Sequence, residues 1–384
     1  METEEIVETP KRSVPLRIAK RIKKYVTISL IAVTLVAYSA VFISPDVLQF
    51  PQFVGMGYPY LLVVDILYII VLVVFKQKDA IFLGAVVALG FGFIRNTVQI
   101  NPIPYFSSTD FSDDDDSSIK VMSFNVRLLD RYNWIKGKSD TRQKIFEFLK
   151  YESPDIVCFQ EFYARYADSI NNETEIRDIL QAPYVIRDYN TDEHWLKTDK
   201  GYVIFSRNKL ANRRYIIDNK NGINGITADA DVCGRTVRIF NIHLRSIHLG
   251  YDDYSFIDSL DHKNNSKNII GFKNIYQKIG SAYSDRCLQA AAVDSMIKAS
   301  PYPVIVCGDF NEPPVSYCYR KVRGNLEDAF CLSGTGFGTT MSLKFLKFRI
   351  DYILHSPELV SRGFKTHREY LSDHFAISCN IKFK

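Results

Sequence analysis

Long apolar stretches occupy the first hundred residues of the chain, and shorter alternating patterns fill the rest. The first stretch, 25–44, has 20 residues and no charge; the second, 58–75, contains one charge, Asp65; the third, 80–94, is short unless it continues past Arg95. About 20 apolar residues are enough for a helix to cross a bilayer. The pattern therefore predicts a membrane region at 25–100 with about three transmembrane helices, and two spans remain the alternative.

Lysine and arginine lie unevenly around these stretches. They are frequent in the N-terminal segment 1–24 and occur as Lys76 and Lys78 in the second connection, whereas 45–57 has neither. The positive-inside rule places 1–24 and 76–79 in the cytoplasm. Three crossings then place everything after residue 100 outside, which in a bacterium is the periplasmic side of the inner membrane. A cleaved signal peptide is the alternative for 25–44, but no small-residue cleavage site follows it.

Two charges fall inside the apolar region, Asp65 and Arg95. Intramembrane charges usually face protein rather than lipid, so one interpretation is a functional pair of these two residues. In the other interpretation, Arg95 extends its side chain to the membrane surface. We prefer the second, because it requires no pairing.

An acidic linker, 101–118, separates the membrane region from a soluble domain at 119–384. Four consecutive Asp at 113–116 and two prolines give the linker a composition typical of solvated segments. After the linker, short β-type runs alternate with helical periodicity, as in an α/β domain. Strands are predicted at 119–127, 154–161, 201–207, 236–244, 303–308, 348–354 and 370–377, and helices at 141–151 and 284–299.

The longest predicted connection, 246–283, interleaves aromatic and basic residues. A connection of this length is expected to have its own structure or a function. We predict that it forms one or two helices beside the mouth of the site and contributes to substrate selection, by contacting an anionic membrane or a nucleic acid. A helical insertion packed on the domain edge is the alternative.

The charge balance and the cysteine content exclude few classes of function. After residue 116 there are 38 Lys and Arg against 31 Asp and Glu. This mild basic excess suits a phosphate-bearing substrate but does not by itself indicate a nucleic-acid partner. The seven cysteines have no metal-ligand or framework spacing, so neither structural zinc nor a disulfide scaffold is expected. Cys158, Cys307 and Cys379 fall in predicted strands, where free cysteine packs as a small apolar residue.

The clearest chemical signal is the segment 303–314. A buried strand pattern ends at Gly308, Asp309 and Asn311 follow it, and Pro313-Pro314 prevents further pairing. An Asx-turn alone would explain Asp309 and Asn311. However, polar side chains of the same kind stand at the ends of other predicted strands; they are Asn125, Glu161, His243, Asp351, Asp373 and His374. Together they supply hard oxygen ligands and a proton-transfer pair, the groups needed for Mg²⁺-assisted hydrolysis of a phosphate ester.

The order of these motifs resembles the endonuclease/exonuclease/phosphatase superfamily, which includes DNase I-like nucleases, inositol polyphosphate phosphatases and neutral sphingomyelinases. The motifs are Phe124-Asn125-Val126, Gln160-Glu161, Asn241-Ile242-His243-Leu244, Gly308-Asp309-Phe310-Asn311, Arg349-Ile350-Asp351-Tyr352 and Ser372-Asp373-His374. The match covers 119–384, and the apolar N-terminus is similar to that of membrane-anchored bacterial members. The resemblance implies a four-layer α/β sandwich, in which two mixed β-sheets pack face to face with helices outside and the site at one end.

The resemblance also implies a metal site. Glu161 would be the principal ligand of Mg²⁺, or of Mn²⁺, with Asn125 and Asp373 near the ion. Arg127 is a departure from the pattern, because some nucleases of the superfamily carry Asp two residues after the Asn. The departure puts a second acidic metal contact in doubt and leaves the main one intact.

The remaining polar residues receive catalytic roles from the resemblance. Asp309 would orient or deprotonate the attacking water, and Asn311 would hold that water beside the phosphate. Asp351 would fix the imidazole of His374 and favour its cationic form. His243 would donate to a phosphoryl oxygen as charge builds in the transition state.

These expectations converge on a membrane-anchored, divalent-metal-dependent phosphoesterase acting on a phosphodiester or phosphomonoester. The alternative is a catalytically inactive, membrane-tethered binding module, which the complete ligand set disfavours. A nucleic acid and a phospholipid or sphingolipid head group remain equally open as substrates. The lipid bilayer is the other expected partner, and no feature indicates an obligate protein partner. The basic residues that could flank a nucleic acid are Arg207, Lys209, Arg213, Arg214, Lys344 and Lys347.

Overall fold

The N-terminal part of the chain is helical. The structure, a computed structural model, describes residues 14–101, 117–132, 140–164, 171–188, 201–218, 222–247, 265–341 and 347–384. The first helices are α1 (Val14–Ser39), α2 (Phe50–Met56), α3 (Tyr58–Val74), α4 (Asp79–Leu89) and α5 (Phe91–Thr97). Residues Ile18–Ser39 of α1 are long and apolar enough to cross a membrane. The pairs α2–α3 and α4–α5 are each bent by 66°, so the described residues hold one candidate span, or up to three if each bent pair crosses as a unit.

The third apolar stretch is not one straight helix. Helix α4 ends at Leu89 after 11 residues, a length of roughly 17 Å against the ~30 Å of a bilayer core. The bend lies at Gly90, where a Cβ atom would stand 2.0 Å from the Tyr38 hydroxyl of α1. Close packing between helices therefore marks the bend, and hydrophobicity alone could not reveal it.

Asp65 and Arg95 do not form a pair in the described structure. Asp65 is buried and accepts a hydrogen bond of 2.7 Å from the Thr34 hydroxyl of α1. Arg95 lies in the last turn of α5, with its side chain exposed. The interpretation of these charges as a functional pair is therefore wrong.

Two six-stranded sheets form the core of the remaining chain. The first has the order β11-β12-β1-β2-β4-β3 and the second β5-β6-β7-β8-β10-β9. Apolar side chains such as Val121 and Ile156 from the first sheet and Ile239 and Ile305 from the second share one buried cluster. The strands are β1 (Ile119–Asn125), β2 (Ile156–Phe162), β3 (Tyr184–Arg187), β4 (Gly201–Ser206), β5 (Leu210–Asp218), β6 (Gly222–Val232), β7 (Arg235–His243), β8 (Val304–Asp309), β9 (Glu327–Asp328), β10 (Asp351–His355), β11 (Leu359–Thr366) and β12 (Ile377–Phe383).

Helices cover the outer faces of both sheets. Helices α6 (Thr141–Glu152) and α7 (Asn172–Leu180) pack on the first sheet. Helices α8 (Asn265–Lys298) and α9 (Tyr317–Arg323) pack on the second, and α10 (Ala329–Ser333) follows β9. The predicted four-layer α/β sandwich is confirmed. The predicted cysteine packing is confirmed as well, since Cys158, Cys307 and Cys379 are buried free thiols within the inter-sheet core.

The strand directions bring distant parts of the sequence to one edge. Strands β1 and β2 are parallel, as are β7 and β8, so the carboxyl ends within each pair lie at the same edge. Strands β10 and β12 run antiparallel to β8 and β1, so their first residues lie at that edge too. Asp351 stands opposite Asp309 in register, and Ile377 stands opposite Ser123.

Three predicted boundaries are wrong. The strand predicted at 348–354 begins only at Asp351. The helix predicted at 284–299 is the second half of α8, which runs without a break from Asn265 to Lys298. The strand predicted at 370–377 begins only at Ile377, because the preceding loop is held on β1 by the Ser372 hydroxyl, which donates to the Asn125 carbonyl at 2.8 Å.

The described first half of α8 packs against the N-terminal helices. Tyr276 stacks on Phe53 of α2 with a centroid distance of 4.6 Å, and the Tyr283 hydroxyl donates to the Gln52 carbonyl at 3.3 Å. One helix thus forms within 246–283, in keeping with the prediction. Residues 248–264 lie outside the described residues, as do Asp113–Asp116 of the acidic linker. The role of this segment in substrate selection stays a prediction.

Candidate active site

The eight predicted site residues all lie at one edge of the two sheets. Each stands where a strand ends or begins, which the parallel and antiparallel pairings explain. Asn125, His243 and Asp309 are the last residues of their strands, Glu161 is next to last in β2, and Asn311 follows β8 by two residues. Asp351 opens β10, and Asp373 and His374 precede β12.

Asp309 is the centre of this arrangement. It is 1% exposed, and its Oδ2 lies 3.4 Å from His243 Nε2 and 3.6 Å from His374 Nε2. The same oxygen accepts a hydrogen bond of 3.1 Å from Asn125 Nδ2, and Oδ1 accepts one of 2.8 Å from the Asn311 amide. Burial raises the pKa of Asp309 even though two imidazoles lie beside it. A carboxylate in this environment is a stronger base than an exposed one.

His374 and Asp351 form a buried carboxylate–imidazole pair. His374 Nδ1 lies 2.9 Å from Asp351 Oδ2, and the backbone amide of Asp351 donates to the Thr340 hydroxyl at 3.1 Å. Burial alone would lower the pKa of His374, but Asp351 and Asp309 together raise it well above the usual value. The geometry therefore agrees with the predicted pairing and favours an imidazolium that points Nε2 towards Asp309.

Two site residues occupy the left-handed region of backbone space. Glu161 has a φ of 49° and Asn311 a φ of 51°. A break in the β2–β4 register between Phe159 and Phe162 accompanies the Glu161 conformation. For Glu161 such a backbone costs about 1–2 kcal/mol, whereas Asn adopts it more readily, and strain of this kind is concentrated at functional sites. Asn311 is fixed further by its Nδ2, which donates to the Leu244 carbonyl at 2.9 Å.

The donor chemistry at this edge fits a hard divalent cation. Glu161 and Asp373 offer carboxylate oxygens on side chains that are 18% and 32% exposed, and Asn125, at the end of β1, offers a side-chain amide oxygen. Oxygen ligands of this kind are those that Mg²⁺ and Mn²⁺ prefer. A second group, Asp309, Asp351 and His374, has ligand atoms within 4.8 Å of one another and could also hold a metal. Because His374 Nδ1 already bonds to Asp351, we regard that group as suited to proton transfer.

Arg127 contacts two of the residues predicted to lie near the metal, Asp373 and Asn125. Its Nε lies 3.3 Å from Asp373 Oδ2, and its backbone amide donates to Asn125 Oδ1 at 3.1 Å. Arg127, which departs from the family pattern, thus places its positive charge directly against Asp373, a carboxylate predicted to lie near the metal. Arg127 also opens four consecutive residues with positive φ, 127–130.

Sequence reasoning missed the polar contacts that lock the two sheets together behind the site. Gln160 Nε2 donates to Asn241 Oδ1 at 2.8 Å, and Asn241 Nδ2 donates to the carbonyls of Phe159 and Val203. Gln160 and Asn241 are fully buried. Both belong to the motifs Gln160-Glu161 and Asn241-Ile242-His243-Leu244, so a polar residue next to a site residue within a buried strand was the available signal.

Two of the six basic residues proposed to flank a nucleic acid, Arg207 and Lys209, lie at the opposite edge. Arg207 follows the end of β4 that pairs with Ile156, the first residue of β2. Its Nη1 lies 3.1 Å from Asp155 Oδ1, at the opposite edge of the sheet. Lys209 directly precedes β5 at that same far end, and its carbonyl accepts from the backbone amide of Asp231. Lys344 lies outside the described residues.

Comparison with known proteins agrees with the fold and the motif order. A model of the Endonuclease/Exonuclease/phosphatase family matches residues 122–374, and a model described as a domain of unknown function (DUF8431) matches 20–97. An uncharacterised protein of Caenorhabditis elegans is 24% identical over 206 residues, 51% of this chain and 54% of that protein. The chain therefore spans about half the length of that curated relative.

Solved structures share the fold at low sequence identity. An endonuclease/exonuclease/phosphatase protein from Bacteroides vulgatus is 17% identical, with a TM-score of 0.50, over 70% of this chain and 99% of that chain. A humanised D. rerio TDP2 is also 17% identical, with a TM-score of 0.48, over 69% of this chain and 99% of that chain.

Proposed function

The chain belongs to the endonuclease/exonuclease/phosphatase family, and from that membership we propose that it is a membrane-anchored, divalent-metal-dependent phosphoesterase. Its reaction would be attack of water on a phosphodiester or phosphomonoester. The observation that carries the proposal is the buried Asp309 carboxylate between the Nε2 atoms of His243 and His374, at 3.4 and 3.6 Å. This places a proton acceptor beside groups that stabilise charge on a phosphoryl oxygen.

Glu161, Asn125 and Asp373 would hold the metal ion. When bound, Mg²⁺ or Mn²⁺ supplies a Lewis acid that polarises a phosphoryl oxygen and offsets the charge that develops there. The oxygen donor set and its partial exposure support this assignment.

The protein's own groups would position and activate the water. Asp309 accepts the proton of that water, and its raised pKa makes it a better base at neutral pH. The backbone N–H of Asn311 bonds to Asp309, and its side-chain Nδ2 bonds to the Leu244 carbonyl. Its side-chain oxygen is therefore fixed to accept a hydrogen bond from the same water. Asp351 keeps His374 protonated, and the Nε2–H groups of His374 and His243 donate to phosphoryl oxygens.

The arrangement of the N-terminal helices supports membrane anchoring with the catalytic domain outside the cytoplasm. Lys23, which precedes the apolar stretch of α1, donates to Gln77 and pairs with Asp79, so the basic part of α1 and the α3–α4 turn lie at the same end. The opposite ends contact the catalytic domain through the pairs Val41 and Arg320, Tyr60 and Lys347, and Asn96 and Arg349. The positive-inside rule assigns the basic end to the cytoplasm.

A topology reporter tests this orientation. A reporter fused after Lys384 that works only outside the cytoplasm is expected to be active. Activity of a cytoplasm-only reporter at the same position would contradict the three-span arrangement and place the site inside the cell.

Among phosphate esters, one observation favours a lipid head group over a nucleic acid. An apolar cavity of about 260 Å³ lies between Pro59 and Tyr60 at the start of α3 and Phe337 in a loop of the catalytic domain. The same loop supplies Thr340, whose hydroxyl accepts hydrogen bonds from Ile350 and Asp351. An apolar surface that joins a membrane helix to a loop of the site suits an amphiphilic substrate.

A side-by-side assay tests the proposed function. The full chain, purified in detergent, is incubated with Mg²⁺ and DNA, RNA, phosphoinositides or sphingomyelin, with Glu161→Gln as the matched control. We expect Mg²⁺-dependent cleavage of a lipid phosphoester that Glu161→Gln abolishes. Preferential cleavage of DNA or RNA would identify a nuclease instead. A folded wild-type protein that hydrolyses none of these with Mg²⁺ or Mn²⁺ would favour the inactive binding module.

A further inference from the structure

A second, larger cavity lies between the N-terminal helices and the catalytic domain, away from the strand-end site. Its volume is about 580 Å³, within the usual range of ~300–1,000 Å³ for ligand sites. One wall comes from the segment after α1 and from α5, and the other from α9, β9 and α10. Three arginines line it: Arg95 from α5, and Arg320 and Arg323 from α9.

None of these guanidinium groups is neutralised by a carboxylate of the described residues. Arg320 Nη1 donates to the Val41 carbonyl at 3.4 Å, and Arg323 donates to the Leu326 carbonyl at 3.2 Å and to Asn96 Oδ1 at 3.3 Å. The Arg95 guanidinium makes no hydrogen bond or ion pair within the described part of the chain. Because each guanidinium has five N–H donors, most of the donors around the cavity are available to an anion.

The acidic residues of the cavity wall only partly offset this charge. Asp328 accepts from Arg349 Nη1 at 2.8 Å and from the Tyr319 hydroxyl at 2.7 Å, so its charge is already matched by Arg349, which does not line the cavity. Glu327 is the other acidic residue of the lining. The cavity therefore keeps an excess of positive charge and a set of planar donors that match phosphate geometry.

The cavity stands at the level where the proposed spans meet the catalytic domain. Phe42, directly after α1, is 59% exposed and stacks under Arg320 at 4.7 Å, and Phe91, at the start of α5, is 67% exposed. Exposed large apolar side chains at this level are suited to contact with a membrane. Arginine guanidinium groups at this level can pair with the phosphate of a lipid head group through two parallel hydrogen bonds.

We propose that this cavity binds the phosphate-bearing head group of an anionic phospholipid. The inference rests on the proposed membrane anchoring but not on the proposed hydrolysis, because no residue of the strand-end site lines the cavity. Bound there, a head group would join α5 to α9 and α10, and so fix the catalytic domain against the membrane.

Lipid retention in nanodiscs tests the proposal. The full chain is reconstituted with phosphatidylcholine alone or with added phosphatidylglycerol, and bound lipid is measured by native mass spectrometry. The wild type is expected to retain phosphatidylglycerol selectively. Arg320→Ala with Arg323→Ala should weaken that retention by about tenfold or more, since charge-assisted hydrogen bonds are lost. The pair Arg320→Lys with Arg323→Lys should retain an intermediate amount, because it keeps the charge.

Arg235→Ala is the matched control. Arg235 also stacks on an aromatic ring, Phe383 at 3.6 Å, but lies at the start of β7, far from the cavity. Equal retention in the wild type and the double alanine variant would overturn the proposal, as would an equal loss in Arg235→Ala. If inorganic phosphate binds the detergent-solubilised wild type tightly, and the double variant loses it without any lipid preference, the site is one for free phosphate and the lipid assignment fails.

The two proposals fail in different ways. A chain that does not hydrolyse phosphate esters but retains phosphatidylglycerol would contradict the proposed function alone. A chain that stays soluble without detergent would contradict the anchoring on which this inference rests.

Discussion

Two buried histidines in this protein lie beside carboxylates, and they differ in charge. At the strand-end site, His374 Nδ1 is 2.9 Å from Asp351 Oδ2. On the outer face of the first sheet, His367 Nδ1 is 3.2 Å from Glu152 Oε1. Asp351 and Asp309 overcome burial and raise the pKa of His374 well above its usual value, whereas burial lowers the pKa of His367 to about 4. Proximity to a carboxylate therefore does not decide the charge of a buried histidine.

The other partners of each carboxylate decide it. Glu152 accepts from Lys120 Nζ at 2.7 Å and from Lys365 Nζ at 2.8 Å. Burial alone would raise the pKa of Glu152, but these lysines lower it to about 2, and their charges also disfavour a protonated His367. Asp351 Oδ1, in contrast, has no hydrogen-bond partner within the described residues. A buried histidine is therefore held in its cationic form when its carboxylate partner has no ion pair with a lysine or arginine.

The largest expected effect is the difference in kcat between alanine variants of the two histidines. His374→Ala should lower kcat by ~10²–10⁴-fold, because a general acid or electrostatic donor is lost. His367→Ala should leave kcat nearly unchanged, since its ring contacts Ser378 and Glu152 and no residue of the strand-end site among the described residues. Steady-state kinetics on the same phosphate ester measures both. Comparable kcat values for the two variants would remove the distinction.

Asp309→Asn tests the proposed base with an effect of similar size. The carboxamide keeps the volume but cannot accept the proton of water, so kcat should fall by ~10²–10⁴-fold. Asp229→Asn is the control, because Asp229 is also buried but is bonded to Arg238 far from the site edge. The assignment would be wrong if Asp309→Asn kept roughly a tenth of the normal rate or more.

Glu152→Gln tests whether the His367–Glu152 pair serves stability and not activity. Loss of the carboxylate leaves the partly buried Lys120 without its charged partner, although its hydrogen bond to the Glu152 carbonyl remains, so the free energy of unfolding should fall by about 1–3 kcal/mol. Asp351→Asn should change stability less and activity far more. Denaturant unfolding measures the first effect, and equal destabilisation by both substitutions would contradict this division of roles.

The same two pKa shifts predict opposite pH dependences of stability. The stabilisation from His374 is complete below the unfolded-state pKa of ~6.5 and is lost as pH rises through its raised folded pKa. His367 has a folded pKa of about 4, so stability is lost as pH falls from ~6.5 to about 4, by up to ~3 kcal/mol. His367→Gln should flatten the acid limb of the stability curve measured by urea unfolding. An unchanged acid limb would show that His367 is already protonated in the folded state.

The smallest expected effect concerns Arg127. Its guanidinium lies 3.3 Å from Asp373 on partly exposed side chains, where such pairs contribute about 0–1 kcal/mol. Arg127→Gln should therefore raise the affinity for Mg²⁺ by no more than roughly fivefold, because Asp373 no longer has a competing cation. Titration calorimetry measures this, and weaker Mg²⁺ binding in the variant would mean that Arg127 positions Asp373 instead.

The two-sheet fold was predictable from the sequence, as was the position of the proposed site residues at strand ends, because both depend on local patterns. Strand periodicity located β1, β2, β7, β8 and β10, and the polar residues at their ends were visible as motifs. The unbroken length of α8 was not predictable, because its first half gains its apolar contacts from α2, through Phe53 on Tyr276. The bend at Gly90 and the saturation of Glu152 by two lysines likewise depend on residues distant in sequence.

The most direct test of the account is the Mg²⁺ dependence of hydrolysis in the wild type and in Glu161→Ala. The central claim is that residues at the strand ends assemble a metal-dependent phosphoesterase. Wild-type hydrolysis should saturate with Mg²⁺ and stop with a chelator, while Glu161→Ala should be inactive at every Mg²⁺ concentration with an unchanged melting temperature. Near wild-type hydrolysis by Glu161→Ala at saturating Mg²⁺, or wild-type hydrolysis that a chelator does not affect, would contradict the claim.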